Sequence, residues 1–234
     1  MIMKTLLGSE LRIAHRIYLV LAALFICSLV VSNLIFQKFF YWNPLGLFNF
    51  EISVGLLPYP ITFLITDLVS EIYGRRKAND LVLAGIFASF FSLGIIYVAN
   101  AAPATGFSPI QDDTFTRVFG ATAIAVISSM LAYLFAQFVD IQIYHFWKRL
   151  TKGKMLWLRN NASTVFSQFV DTMCVLLLLC FNEVIAWEQF WPLLGAGFLF
   201  KVLVALIDTP FLYLGVYVFR NIFKLEIGQE IKID

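Results

Sequence analysis

Charge is scarce in this chain. Of its 234 residues, 14% are Asp, Glu, Lys or Arg, and there are two histidines; soluble domains carry about 25% charge. Apolar residues make up 60%, Phe alone supplies 25, and the mean hydropathy is +0.83. A water-soluble fold of this length could not bury so much apolar surface, whereas a lipid-facing bundle need not. Cysteine is also scarce. Cys27, Cys174 and Cys180 all lie in apolar runs, which excludes an exported disulfide framework and leaves them as small core residues. The chain has no Ser-, Gly- or Pro-rich linker and no low-complexity tract. It has no H-E-x-x-H, G-x-S-x-G or P-loop, so a membrane enzyme or protease built on its acids would lack a motif. No catalytic residue, cofactor or metal ligand is expected. Lys4, Arg12 and Arg16 precede an apolar run without a small-residue cleavage site, so that run reads as a first transmembrane helix, not a cleaved signal.

Six apolar segments are present: Ile17–Phe36, Ile52–Ile72, Leu81–Asn100, Val118–Asp140, Ala162–Asn182 and Pro192–Arg220. Each is close to the roughly 20 residues a membrane crossing needs, and the last is long enough to tilt or bend. The expectation is one all-α polytopic domain, 1–234, with six transmembrane helices and short connections. Basic residues orient it. Lys4, Arg12 and Arg16 precede span one. Arg75, Arg76 and Lys77 fall in the loop after span two. Lys148, Arg149, Lys152, Lys154 and Arg159 fall in the loop after span four, and Arg220, Lys224 and Lys232 in the tail. That puts fourteen of the seventeen basic residues on one side, which the positive-inside rule makes cytoplasmic, with both termini inside. Short basic turns beside spans are not the extended basic face with aromatic platforms that nucleic acid requires, so no nucleic-acid partner is expected.

Ionisable groups within the spans carry the functional signal, because each is expensive in lipid unless it meets a partner or a wet cavity. Asp67 lies in span two with Glu71 one turn on. Asp140 is placed at the cytoplasmic end of span four, Asp171 in the middle of span five and Asp208 in the middle of span six. Lys201 lies seven residues before Asp208, about 10 Å along the helix, too far for direct pairing. Three deep carboxylates against one lysine are hard to explain as structural pairs alone. In span five, Asn161, Thr164, Gln168 and Asp171 recur at steps of three and four and share one helix face. Pro58, Pro60 and Pro210 interrupt spans two and six, as in many transporter sites. Gln137-Phe138-Val139-Asp140 recurs as Gln168-Phe169-Val170-Asp171, a short internal echo. His15 and His145 read as interface residues.

The run from Pro58-Tyr59-Pro60 through Thr66-Asp67 to Glu71-Ile72-Tyr73-Gly74 resembles the span-two signature of bacterial queuosine-precursor transporters, which are vitamin uptake transporter-like integral membrane proteins. Arg159-Asn160-Asn161-Ala162-Ser163-Thr164, with Ser167-Gln168 and Asp171-Thr172, is similar to the span-five signature of the same family. Ser32-Asn33, Gln137 with Asp140, and Lys201 with Asp208-Thr209-Pro210 also fit. The resemblance implies a multi-pass protein of the bacterial inner membrane that takes up 7-cyano-7-deazaguanine, 7-aminomethyl-7-deazaguanine or both, for salvage into the tRNA nucleoside queuosine.

A carboxylate can accept both adjacent N–H groups of a guanine-like edge, an amide can serve its carbonyl, and aromatic rings such as Tyr59, Phe63 and Phe169 can stack on its plane. The candidate substrate-binding residues are therefore Asp67, Gln168, Asp171 and Asp208, followed by Asn33, Thr164 and Lys201. Asp67, Asp171 and Asp208 are the candidate proton carriers. The expected partners are the base and the lipid bilayer, and homo-oligomerisation is left open. The alternative is the substrate-binding subunit of an energy-coupling-factor importer. Such subunits dock through small residues at i, i+4 on span one, a spacing that Ala14, Ala22 and Ala23 do not make.

Overall fold

The computed structural model describes residues 3–35, 38–43, 46, 50–120, 123–183 and 186–233. A short strand β1 (Met3–Thr5) leads into α1 (Gly8–Ile35). Strands β2 (Phe39–Trp42) and β3 (Phe50–Ser53) form an antiparallel hairpin. A 3-10 turn, Val54–Leu56, precedes α2 (Tyr59–Ile72), and α3 (Gly74–Ala101) follows after one residue. A single helical turn α4 (Asp112–Phe115) and a π-helical turn, Thr116–Gly120, lead towards α5 (Ala123–Leu150). Next come α6 (Leu156–Phe181), α7 (Phe190–Phe223) and a last strand β4 (Glu230–Lys232).

Among the described residues, five helical segments are long and apolar enough to cross a membrane: Gly8–Ile35, Val54–Ile72, Gly74–Ala101, Leu156–Phe181 and Trp187–Phe223. With α5 there are six long helical segments, and the chain is an all-α multi-pass membrane protein. Large apolar side chains point outward, Phe87 being 76% and Tyr217 65% exposed. In water that surface would be a liability; in hydrocarbon it is the solvent-facing layer. The end of the first expected span at Phe36, and residues 121–122 within the fourth, lie outside the described residues.

The shortest long segment is the hub. α2 touches α1, α3, α5 and α7, and from Thr62 to Ile72 every residue but Leu64 is buried. Its start is set by Pro60 in the first turn, where a missing N–H leaves no bond unmade. The second expected span therefore differs at its beginning: Ile52 and Ser53 belong to β3. Its end differs as well. Arg75, Arg76 and Lys77 do not form a loop but the first turn of α3, because Gly74 makes the reversal alone at φ +83°, a conformation costly for residues with a side chain. Pro210 stays inside α7, and Gly85 lets α3 approach α1, where a Cβ would come within 2.6 Å of Phe25.

Both termini lie at one end of the bundle. β1 and β4 pair in parallel, Met3 opposite Glu230 and Thr5 opposite Lys232. Lys4 donates to the carbonyl of Phe223 at 2.8 Å, capping α7. Leu6, Ile231 and Ile233 are buried in the main core with Phe223 and Leu225. The α2–α3 and α5–α6 turns reach the same end: Glu230 lies against Gly74, and Gly153 against Gly228. A buried ion network joins these pieces. Lys148 Nζ lies 2.9 Å from Glu230 Oε1 and 3.3 Å from Glu71 Oε2, and Arg220 lies 2.9 Å from Glu71 Oε1. Burial pushes the Glu230 carboxyl above the usual range, and Glu71 pushes it the same way, against the pull of Lys148.

Candidate functional site

Two expectations about charge change once α5 is seen to run to Leu150. Asp140 is not at a helix end but in the helix interior, fully buried. Lys148 and Arg149 belong to the last turn of the helix, and Lys148 is 2% exposed. The deep carboxylates are thus four, Asp67, Asp140, Asp171 and Asp208, and Asp140 stands outside the expected site set.

α6 organises them. Its polar face is buried as the spacing predicts, with Thr164, Gln168 and Asp171 each 3–4% exposed. The Thr164 hydroxyl donates to Asp67 Oδ2 at 3.4 Å. One turn on, Ser167 donates to Asp140 Oδ1 at 2.9 Å, and Asp67 and Asp140 face each other between the two bonds. Further along, Asp171 forms an ion pair with Lys201 of α7. Lys201 therefore turns across to α6, not along its own helix to Asp208. At the lower end of the face, Asn161 donates to Thr209 Oγ1 at 3.1 Å, joining α6 to α7 beside Pro210.

A small pocket opens between α2, α6 and α7. Thr164, Gln168, Lys201 and Asp208 line it, together with Tyr59, Phe63 and Leu56. Asp67 borders it through Thr164 and Asp171 through Lys201. Six of the seven expected residues are therefore brought together. Asn33 is the exception: it lines a separate pocket with Val30, Ser89, Ser92 and Met130. Among the aromatic candidates, Tyr59 and Phe63 face the pocket. Phe169 does not; it meets Phe198 edge-on and is 37% exposed. One residue past Gln168, it is turned about 100° around the helix.

Behind the pocket wall is a polar support that the spacing did not single out. Gln137 of α5 is fully buried, accepts from Thr66 at 3.2 Å and donates to the Tyr133 hydroxyl at 2.5 Å. Tyr133 in turn meets Tyr59 at 5.1 Å and Phe63 at 5.9 Å between ring centroids. The pocket itself is not saturated. Among the described residues, a buried oxygen of Asp67, of Gln168 and of Asp171 and the Tyr59 hydroxyl have no hydrogen-bond partner. Unmet acceptors of this kind inside a protein call for a ligand, a proton or water.

Long apolar helices enclosing a charged, hydrogen-bonding pocket make this a multi-pass membrane protein with a polar site inside its bundle. The chain belongs to the family described as "Putative vitamin uptake transporter", which it matches over residues 53–215. That stretch runs from the end of β3 into α7 and contains the whole pocket, but neither Asn33 nor the tail. The chain is 27% identical over 168 residues to a protein of Bacillus subtilis (strain 168) named probable queuosine precursor transporter, covering 71% of this chain and 72% of that one. It is 25% identical over 170 residues to the queuosine precursor transporter of Escherichia coli (strain K12), covering 70% and 72%. No solved structure matches it.

Proposed function

We propose that this protein imports queuosine precursors, 7-cyano-7-deazaguanine and 7-aminomethyl-7-deazaguanine, across the bacterial inner membrane, and that the pocket between α2, α6 and α7 holds the base. The observation that carries this reading is the convergence of Thr164, Gln168, Lys201 and Asp208 on one pocket bordered by Asp67 and Asp171. The names of the relatives supply the substrate class. Within the pocket, the Gln168 amide meets the polar edge of the base and an aspartate accepts its paired N–H groups. Tyr59 and Phe63 lie against its plane. Asp67 is the candidate proton carrier best placed for the task, since two facing carboxyls can hold one proton between them and Asp67 touches both Asp140 and the pocket wall. Asn33 lies outside this pocket and has no part in the binding step proposed here.

The test is uptake of labelled deazaguanine bases by cells in which this gene is the only salvage route. Uptake by the purified chain alone in proteoliposomes separates a self-sufficient importer from the substrate-binding subunit of an energy-coupling-factor complex. Failure in both settings would sink the proposal.

A further inference from the structure

Lys201 occupies an unusual place. Its ammonium is paired with the Asp171 carboxylate and also sits over the Tyr59 ring, 5.0 Å from the centroid. The side chain reaches this position from the pocket wall, where it is 11% exposed, while the Asp171 side chain is 4% exposed. A carboxylate below and an aromatic face beside are what an ammonium ion seeks in an apolar setting. The arrangement is not used up by the lysine. Asp171 Oδ1 and the Tyr59 hydroxyl are both buried without a hydrogen-bond partner among the described residues.

We propose that Asp171 and the face of Tyr59 form a primary-ammonium site, that Lys201 fills it when the pocket is empty, and that an ammonium group on the ligand displaces Lys201. This deepens the transport proposal and rests on the pocket being the transport site. The ligand class is a flat heterocycle carrying a primary alkylammonium. The aminomethyl base has that group; the cyano base, being neutral, does not.

Charge supports the exchange. Carboxylates outnumber the single lysine around the pocket, and Asp208 lines it with no hydrogen bond or ion pair among the described residues. A second cation in the pocket therefore lowers the local imbalance and need not repel the first. A lysine is suited to the task because its charge is a point on a flexible stem that can swing away without unfolding its helix. A neutral ligand has nothing with which to replace the lysine at Asp171, so it leaves the ion pair in place.

The experiment is equilibrium binding of both bases to the purified chain, wild type and Lys201→Met. Met keeps the apolar stem and removes the tethered competitor. The aminomethyl base should bind about tenfold more tightly to the variant, a factor in the range of a cation–π contact combined with a partly buried ion pair, and the cyano base, which carries no group to take the lysine's place, should not bind more tightly to it. Adding Asp171→Asn to the variant should remove the gain. In the wild-type chain, amine-selective labelling of Lys201 followed by mass spectrometry should increase with the aminomethyl base and not with the cyano base; this readout does not depend on any variant folding. Equal weakening of both bases in Lys201→Met, or labelling of Lys201 that is unchanged or lowered by the aminomethyl base, overturns the inference while leaving the transport proposal standing. Binding of neither base by the wild type overturns both.

Discussion

Ser167 donates to Asp140 across 2.9 Å, in a place that neither water nor lipid reaches. The bond joins α6 to α5 beside the point where Asp140 meets Asp67. The same hydroxyl also contacts the Thr164 carbonyl at 3.1 Å, so one small side chain holds the acid in line with the face that carries Thr164 and Gln168. Asp140 is thereby tied to the pocket without lining it.

Removing that hydroxyl should be felt as a loss of stability. Ser167→Ala strands a buried carboxyl oxygen, which costs about 1–3 kcal/mol. Thermal unfolding in detergent, followed by tryptophan fluorescence, should show a clear drop in melting temperature. A melting curve identical to the wild type would mean that the bond contributes nothing.

The ion network at the end bearing the termini predicts a larger effect. The Lys148 and Glu230 side chains are each 1% exposed and pair at 2.9 Å. Lys148→Met leaves two buried carboxylates short of a partner, and breaking one side of a buried pair costs about 3–5 kcal/mol. Lys152→Met, at an exposed position of the next turn, should stay within about 0.5 kcal/mol of the wild type. Comparable melting temperatures for the two variants would contradict the structure.

The helices were legible from apolar runs, and the polar stripe of α6 from its spacing. What escaped the sequence were features made by distant parts of the chain. Hydropathy ends span four near Asp140, yet α5 continues because Lys148 finds Glu71 on α2 and Glu230 in the tail. Arg75, Arg76 and Lys77 read as a loop because charge usually marks one; a single glycine with positive φ made the loop unnecessary. The pairing of Lys201 with Asp171 was hidden for the same reason. The spacing along α7 says where Lys201 cannot reach on its own helix and nothing about the helix beside it. Asn33 shares with the site only its residue type, and the fold places it elsewhere.

Sidedness follows from the shared end of the bundle. We predict that this end, with both termini and the α2–α3 and α5–α6 turns, faces the cytoplasm, since fourteen of seventeen basic residues would then lie inside. Reporters at Lys77, Lys152 and Lys232 should read internal, and reporters at Asn43, Thr105 and Glu188 external. An external reading at Lys152 would be incompatible with this arrangement.

The three proposed carrier acids should separate by assay. Asp→Asn keeps size and polarity but loses charge and one acceptor role. At a residue that binds the base, Asn should weaken binding itself; at a proton carrier, binding should stay near normal while concentrative uptake is lost and exchange persists. Binding and uptake measured on Asp67→Asn and Asp208→Asn are expected to show the second and first patterns respectively. Asp171→Asn should also free Lys201. Normal transport by all three, with normal levels in the membrane, would make the acids structural.

The strand pairing of Met3–Thr5 with Glu230–Lys232 also has a consequence for synthesis. β1 is made before α1, and its partner β4 follows α7, so every long helix is synthesised between the two halves of one pairing. Helices can enter the bilayer in order, but β1 must wait for its partner until α7 is complete. The closure of this sheet is therefore a late step, and a nascent chain stalled at the end of α7 would carry every helix yet lack Glu230, one of the two carboxylates that answer Lys148.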